Sequence, residues 1–134
     1  MNIAVRYYTR SGNTKKLLQA ASSALGVEAH DVSVPLSERA DILVLGCSYY
    51  AFDIDDNVKK FIEDNSASIG KIVCIGTSAM MNSMKKPVKK VADMYGIEVA
   101  DEEFHCRGSF GPMHKGRPNE KDLEKVKAFV KSIM

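Results

Sequence analysis

Five apolar runs alternate with four segments of helical periodicity along this chain, and that alternation constrains its fold more than any other feature. Strands are expected near 2–7, 27–32, 41–47, 71–77 and 98–106, and helices near 13–25, 56–66, 84–95 and 119–132. Each helical segment carries an apolar stripe: Leu17, Leu18, Ala21 and Leu25 in the first, Val58, Phe61 and Ile62 in the second. Met84, Val88, Val91, Ala92 and Tyr95 mark the third, and Leu123, Val126, Phe129, Val130 and Ile133 the last. Gly26 and Gly96 stand where two helices should close, and Asn119 where the last should be capped. Strands that alternate with helices give βα units, hence a parallel sheet wound on both faces. One connection breaks the rhythm. Ser33 to Ala40, interrupted by Pro35, is too short for a crossover helix, which is expected to be shortened or missing. At 134 residues the chain is expected to form a single domain.

The first strand-to-helix turn holds the chemistry. Tyr8-Thr9-Arg10-Ser11-Gly12-Asn13-Thr14 follows directly on Ile3-Ala4-Val5 and precedes the first amphipathic segment. A helix start exposes backbone N–H groups and the positive end of the helix dipole. Small hydroxyls add donors, and Gly12 lets the backbone close around a tetrahedral anion. The turn therefore reads as a phosphate cradle. A nucleotide-binding Gly-x4-Gly-Lys-Ser/Thr loop and a dinucleotide-binding Gly-x-Gly-x-x-Gly turn are both excluded, because Gly12 is the only glycine between Met1 and Leu25.

The hydroxyl-rich form Thr9-x-Ser11-Gly12-Asn13-Thr14 closely resembles the FMN-phosphate loop of flavodoxins. Asp41-Ile42-Leu43-Val44-Leu45-Gly46-Cys47-Ser48-Tyr49-Tyr50 looks like that family's third strand entering the first flavin-flanking loop. Lys71-Ile72-Val73-Cys74-Ile75-Gly76-Thr77-Ser78 looks like the fourth strand entering the second, and residues 115–123 are similar to the segment before the last helix of short flavodoxin-like proteins. The resemblance spans the whole chain. It implies a doubly wound, five-stranded parallel sheet of order 2-1-3-4-5, with the second crossover helix shortened or missing, and FMN as a noncovalent cofactor. In such a sheet, ligands sit beyond the carboxyl ends of the strands where strand order reverses, here between the first and third.

By that resemblance Thr9, Ser11 and Thr14 would offer hydroxyls to the phosphate, with backbone N–H groups of Arg10, Ser11, Gly12 and Asn13 completing the nest. The Arg10 side chain is expected to be optional. Ser48, Tyr49, Tyr50, Ala51 and Phe52 would form the first flavin-flanking loop. A flat isoalloxazine favours aromatic partners, and any of Tyr49, Tyr50 and Phe52 could stack on it. This loop has no glycine where the family often places one beside the flavin N5. Thr77, Ser78, Ala79, Met80, Met81 and Asn82 would form the second loop, with hydroxyls and amides for the pyrimidine edge. The methionines there would either meet the flavin face or plug the core. Asp53, Asp55 and Asp56 follow the aromatic loop, and at least one is expected to N-cap the second helix.

Charge and cysteine usage narrow the partners. A net charge of +2 gives no footprint for a nucleic acid, and no apolar run approaches the roughly 20 residues of a membrane span. Residues 1–67 carry seven Lys/Arg against nine Asp/Glu, and residues 68–134 carry twelve against eight. Lys85, Lys86, Lys89 and Lys90 concentrate that excess on one expected helix, either as a solvated face or as an attractor for a phosphorylated nicotinamide. Cys47, Cys74 and Cys106 are odd in number and widely spaced, which favours buried thiols in a reducing compartment. With no secretion leader expected, the cytoplasm follows. The function expected is electron transfer between redox partner proteins by a monomer or weak dimer. The alternative is a small FMN-dependent oxidoreductase acting on NAD(P)H and a quinone-type acceptor.

Overall fold

The computed structural model describes the whole chain except Ser11, residues 49–52, residues 79–82, Met84 and residues 108–115, together with the side chain of Ser78. Among the described residues, strands β1 (Ile3–Tyr7), β2 (Ala29–Asp31), β3 (Ala40–Ser48), β4 (Ile69–Ser78) and β5 (Glu98–Arg107) alternate with helices. The helices are α1 (Asn13–Leu25), α2 (Asp56–Asp64), α3 (Lys85–Met94) and α4 (Glu120–Ile133). The strands form one parallel sheet in the order β2-β1-β3-β4-β5. No helix joins β2 to β3. The chain crosses there in extended and turn conformation through residues 32–39, as the short Pro35-containing connection requires.

Period-two alternation sends successive strand residues to opposite faces, and each face buries its own helices. On one face Val5, Val44 and Ile75 pack with Leu17, Leu18 and Ala21 of α1 and Val126 and Val130 of α4. On the other, Leu43, Leu45, Ile72 and Cys74 pack with Val58, Phe61 and Ile62 of α2 and Val88, Val91 and Ala92 of α3. The third helical stripe is narrower than its spacing predicts, because Tyr95 lies beyond the end of α3 and is 37% exposed.

The close fit of α1 to the sheet has one local cause. A Cβ built on Gly46 of β3 would lie 2.0 Å from Leu18 Cδ2 and 3.0 Å from Thr14 Cγ2, so only glycine lets the helix approach this far. The same residue accepts a bond from the backbone N of Tyr8 at 2.9 Å, which fixes the exit of β1. The start of α1 is thereby pressed against the carboxyl ends of β1, β3 and β4.

The crossing between β2 and β3 is held by a residue with no counterpart in the sequence reading. Arg6, inside β1 next to the edge strand and only 7% exposed, donates from Nε to the Val34 carbonyl, from one terminal nitrogen to Pro35 and from the other to Val5. Burial lowers its pKa from the ordinary arginine value. A planar fork with fixed donors suits three backbone carbonyls better than a flexible ammonium would.

Candidate functional site

The turn after β1 is built around one left-handed residue. Gly12 adopts φ +90° and stands at the N-cap of α1. A Cβ there would meet nothing within 4 Å, so the backbone conformation, and not crowding, calls for glycine. Its N–H donates to Thr9 Oγ1 at 2.8 Å, which folds the turn back on itself and leaves the Thr9 proton to donate elsewhere. Glycine supplies no capping side chain, and the first turn of α1 holds no acidic residue. The positive end of a 13-residue helix is thus offered at the carboxyl edge of the sheet.

Behind this turn, three hydroxyls, one from the first turn of α1 and two from the ends of β3 and β4, form a closed triangle. Thr14 Oγ1 lies 2.7 Å from Ser48 Oγ and 3.1 Å from Thr77 Oγ1, and Ser48 Oγ lies 2.9 Å from Thr77 Oγ1. The sheet prepares the meeting. Ser48 and Thr77 are register partners on β3 and β4, and their parity sends both side chains to the α1 face, where Thr14 arrives. Thr14 is fully buried, Thr77 is 2% exposed and Ser48 is 7% exposed. A hydroxyl carries one proton and accepts as well, so three of them satisfy one another when all donate in the same sense around the ring.

Two carboxylates flank the turn, each with a partner of its own. Arg10 donates to Asp55 Oδ2 at 2.7 Å, while Asp55 Oδ1 accepts from the backbone N of Asn57 at 2.8 Å and so caps α2. Burial alone would raise the Asp55 carboxyl, but the bonds from Arg10 and Asn57 outweigh it and hold the group below the usual carboxylate value. The turn after β1 is therefore tied to the start of α2. Asp53 accepts from Lys59 Nζ at 2.6 Å and from the backbone N of Ile54. The Lys59 bond is the main reason that its carboxyl also lies below the usual range.

The structure brings together Thr9, Arg10, Gly12, Asn13, Thr14, Ser48 and Thr77 of the residues singled out in the sequence. Ser11, Tyr49, Tyr50, Ala51, Phe52, Ala79, Met80, Met81 and Asn82 lie outside the described residues, as does the side chain of Ser78. Thr77 lies within β4, and its hydroxyl turns to Thr14 and Ser48. Arg10 is engaged with Asp55, and Asp55 is the carboxylate that caps α2. The three cysteines are free and buried. Burial pushes the Cys74 and Cys106 thiols up to about 12 and Cys47 well above its ordinary value, so none is a nucleophile near neutrality. The hydroxyl triangle was not legible in the sequence; its one signal was a hydroxyl at the carboxyl end of each of two adjacent strands.

No protein-family model matches the sequence. An uncharacterized protein of Methanocaldococcus jannaschii is 26% identical over 136 residues, covering 91% of this chain and 90% of its own. A solved flavodoxin from the domain Archaea superposes with a TM-score of 0.77 at 20% identity, over 99% of this chain and 96% of that one. A flavoprotein from Lactobacillus acidophilus, solved in complex with FMN, superposes with a TM-score of 0.62 at 14% identity, over 79% of this chain and 92% of that one. In no described strand does the topology depart from order 2-1-3-4-5. The chain has the flavodoxin-like fold.

Proposed function

We propose that this protein binds FMN noncovalently at the carboxyl ends of β1, β3 and β4 and serves as an electron carrier between redox partner proteins. The observation that carries the reading is the convergence of the Gly12 turn, the α1 N-terminus and the Thr14–Ser48–Thr77 hydroxyls at the strand-order switch between β1 and β3. The donor set fits a phosphate monoester. Hydroxyls and backbone amides supply directed hydrogen bonds to a charged acceptor, worth about 1.5–3 kcal/mol each, and among the described residues no carboxylate bonds to the triangle. The FMN complex of the Lactobacillus acidophilus flavoprotein with the same fold supports this choice of ligand.

Bound flavin would supply the redox chemistry, and the chain's own residues would bind and orient it. Thr9 and Ser48 are the described hydroxyls nearest the outside of the cradle, with Thr14 and Thr77 behind them. Arg10 braces the turn through Asp55 instead of neutralising the phosphate. By their place in the sequence, Tyr49, Tyr50 and Phe52 would supply aromatic surface for the ring, and Ser78 to Asn82 the opposite wall. Protein purified from a flavin-producing host should absorb in the visible near 450 nm or acquire that spectrum on adding FMN; a colourless protein that leaves added FMN unchanged would overturn the reading.

One observation favours a second reading. α3 carries Lys85, Lys86, Lys89 and Lys90 against a single Asp93 and follows the second loop of the proposed flavin site in sequence. Such a helix would attract the phosphates of NAD(P)H, which suits a small FMN-dependent oxidoreductase passing electrons to a quinone-type acceptor. Stopped-flow mixing with NADPH separates the two. Flavin bleaching within seconds favours the oxidoreductase, and unchanged flavin absorbance favours the carrier.

A further inference from the structure

The geometry points to Thr77 as a specificity-determining residue of the phosphate site: it competes with the phosphate for the Ser48 proton and so holds FMN affinity below what the cradle alone would give. This rests on the FMN reading above.

The argument begins with proton accounting. The three hydroxyls carry three protons, and the three contacts of 2.7, 2.9 and 3.1 Å use all of them. Donation to an anion therefore requires one hydroxyl to leave the ring. Thr14 is fully buried and Thr77 is 2% exposed, whereas Ser48, at 7%, is the most exposed of the three. Ser48 is the outlet. When its proton turns outward, the ring opens into a chain in which Thr77 donates to Thr14 and Thr14 donates to Ser48. Those two contacts survive, and the Ser48–Thr77 contact of 2.9 Å is lost.

Two consequences oppose each other. Accepting from Thr14, which itself accepts from Thr77, makes Ser48 a stronger donor, by roughly 10–30% per bond. Against this stands the loss of one whole buried hydrogen bond each time the anion binds. The lost bond is the larger effect, so the net action of the Thr77 hydroxyl is to weaken anion binding. Its compensating role lies in the fold, where it gives Thr14 and Ser48 each a second partner in a buried place.

Removing that hydroxyl should then have an unusual signature. Thr77→Val keeps the branched shape, deletes two contacts of the closed ring and only one of the open chain. The folded protein should become less stable, while FMN binds about threefold tighter relative to riboflavin. Riboflavin lacks the phosphate and reports the integrity of the ring site in the same variant. Thr77→Ser restores the hydroxyl and should return the FMN-to-riboflavin affinity ratio to that of the original protein. Thr77→Ala removes the hydroxyl without the branched bulk and serves if the valine variant does not fold.

The experiment is a fluorescence-quenching titration of the original protein, Thr77→Val, Thr77→Ala and Thr77→Ser with FMN and with riboflavin, alongside thermal melting. A higher FMN-to-riboflavin ratio in the valine or alanine variant, together with a lower melting temperature and recovery in the serine variant, supports the inference. A ratio that is unchanged or reduced in those variants overturns it, while the original protein's binding of FMN would leave the proposed function standing. Failure of the original protein to bind FMN overturns both.

Discussion

Arg6 Nε donates to the carbonyl oxygen of Val34 at 2.9 Å, linking β1 to a crossing that has no helix. The other guanidinium nitrogens hold the carbonyls of Val5 and Pro35, so three backbone acceptors depend on one buried side chain. Arg6→Met should therefore destabilise the protein by about 1–2 kcal/mol, because three backbone carbonyls, at Val5 and at the exposed Val34 and Pro35, lose a directed donor. Arg6→Lys should recover little, since one ammonium cannot reproduce the fork. Urea denaturation measures the loss, and limited proteolysis should cut the variants first between residues 32 and 39.

At the other end of the chain, the start of α4 is secured by a charged cluster. Asp122 accepts from Arg117 at 2.7 and 2.9 Å and from the Asn119 backbone at 2.8 Å, while Asn119 caps the helix in return. The Arg117 bonds hold the Asp122 carboxyl below its usual value, against the opposing effect of burial. A depressed carboxyl contributes stability that is fully present above its unfolded value of about 4 and is lost as pH falls through the lower folded value. Asp122→Asn should cost about 1–3 kcal/mol at pH 7, moderated by the partial exposure of Arg117. The difference between the two proteins should shrink as pH is lowered to about 3, which urea titrations at both pH values will show.

Gly46→Ala tests the link between packing and site. The added Cβ falls 2.0 Å from the buried Leu18 side chain and 3.0 Å from Thr14 Cγ2, so α1 must shift outward. Overpacking of this kind costs about 1–3 kcal/mol. Because Thr14 moves with the helix, FMN affinity should fall more than riboflavin affinity. Equal losses for both ligands would mean that the hydroxyl triangle does not depend on the approach of α1.

Much of this architecture was legible from periodicity. All five strands, the helix ends at Gly26 and Gly96, the Asn119 cap and the helix-free crossing follow from local pattern and turn chemistry. Arg6 was not legible, because a charged residue inside an apolar run says nothing of the carbonyls waiting 28 and 29 residues away. The triangle was hidden for the same reason, since Thr14, Ser48 and Thr77 meet only once register and helix docking are set. Tyr95 shows the converse error, where helical spacing continued past the point at which the helix stops.

The division of labour in the cradle gives a comparison of two variants. Ser48→Ala removes the outlet hydroxyl and should weaken FMN binding by about tenfold, with riboflavin little affected. Arg10 meets Asp55 at a 55% exposed side chain, so Arg10→Ala should loosen the turn and weaken FMN by less than Ser48→Ala does. A larger loss in the arginine variant would make a side-chain cation the phosphate anchor.

The central claim is that a cradle of hydroxyls and backbone amides at the β1–β3 switch recognises the phosphate of a flavin. Calorimetric titration of the purified, flavin-free protein with FMN, and separately with riboflavin, tests it most directly. The account predicts one-to-one binding of FMN at micromolar protein and riboflavin affinity lower by about a hundredfold, as expected for two charge-assisted bonds lost with the phosphate. No heat with FMN, or equal affinity for the two flavins, would contradict it.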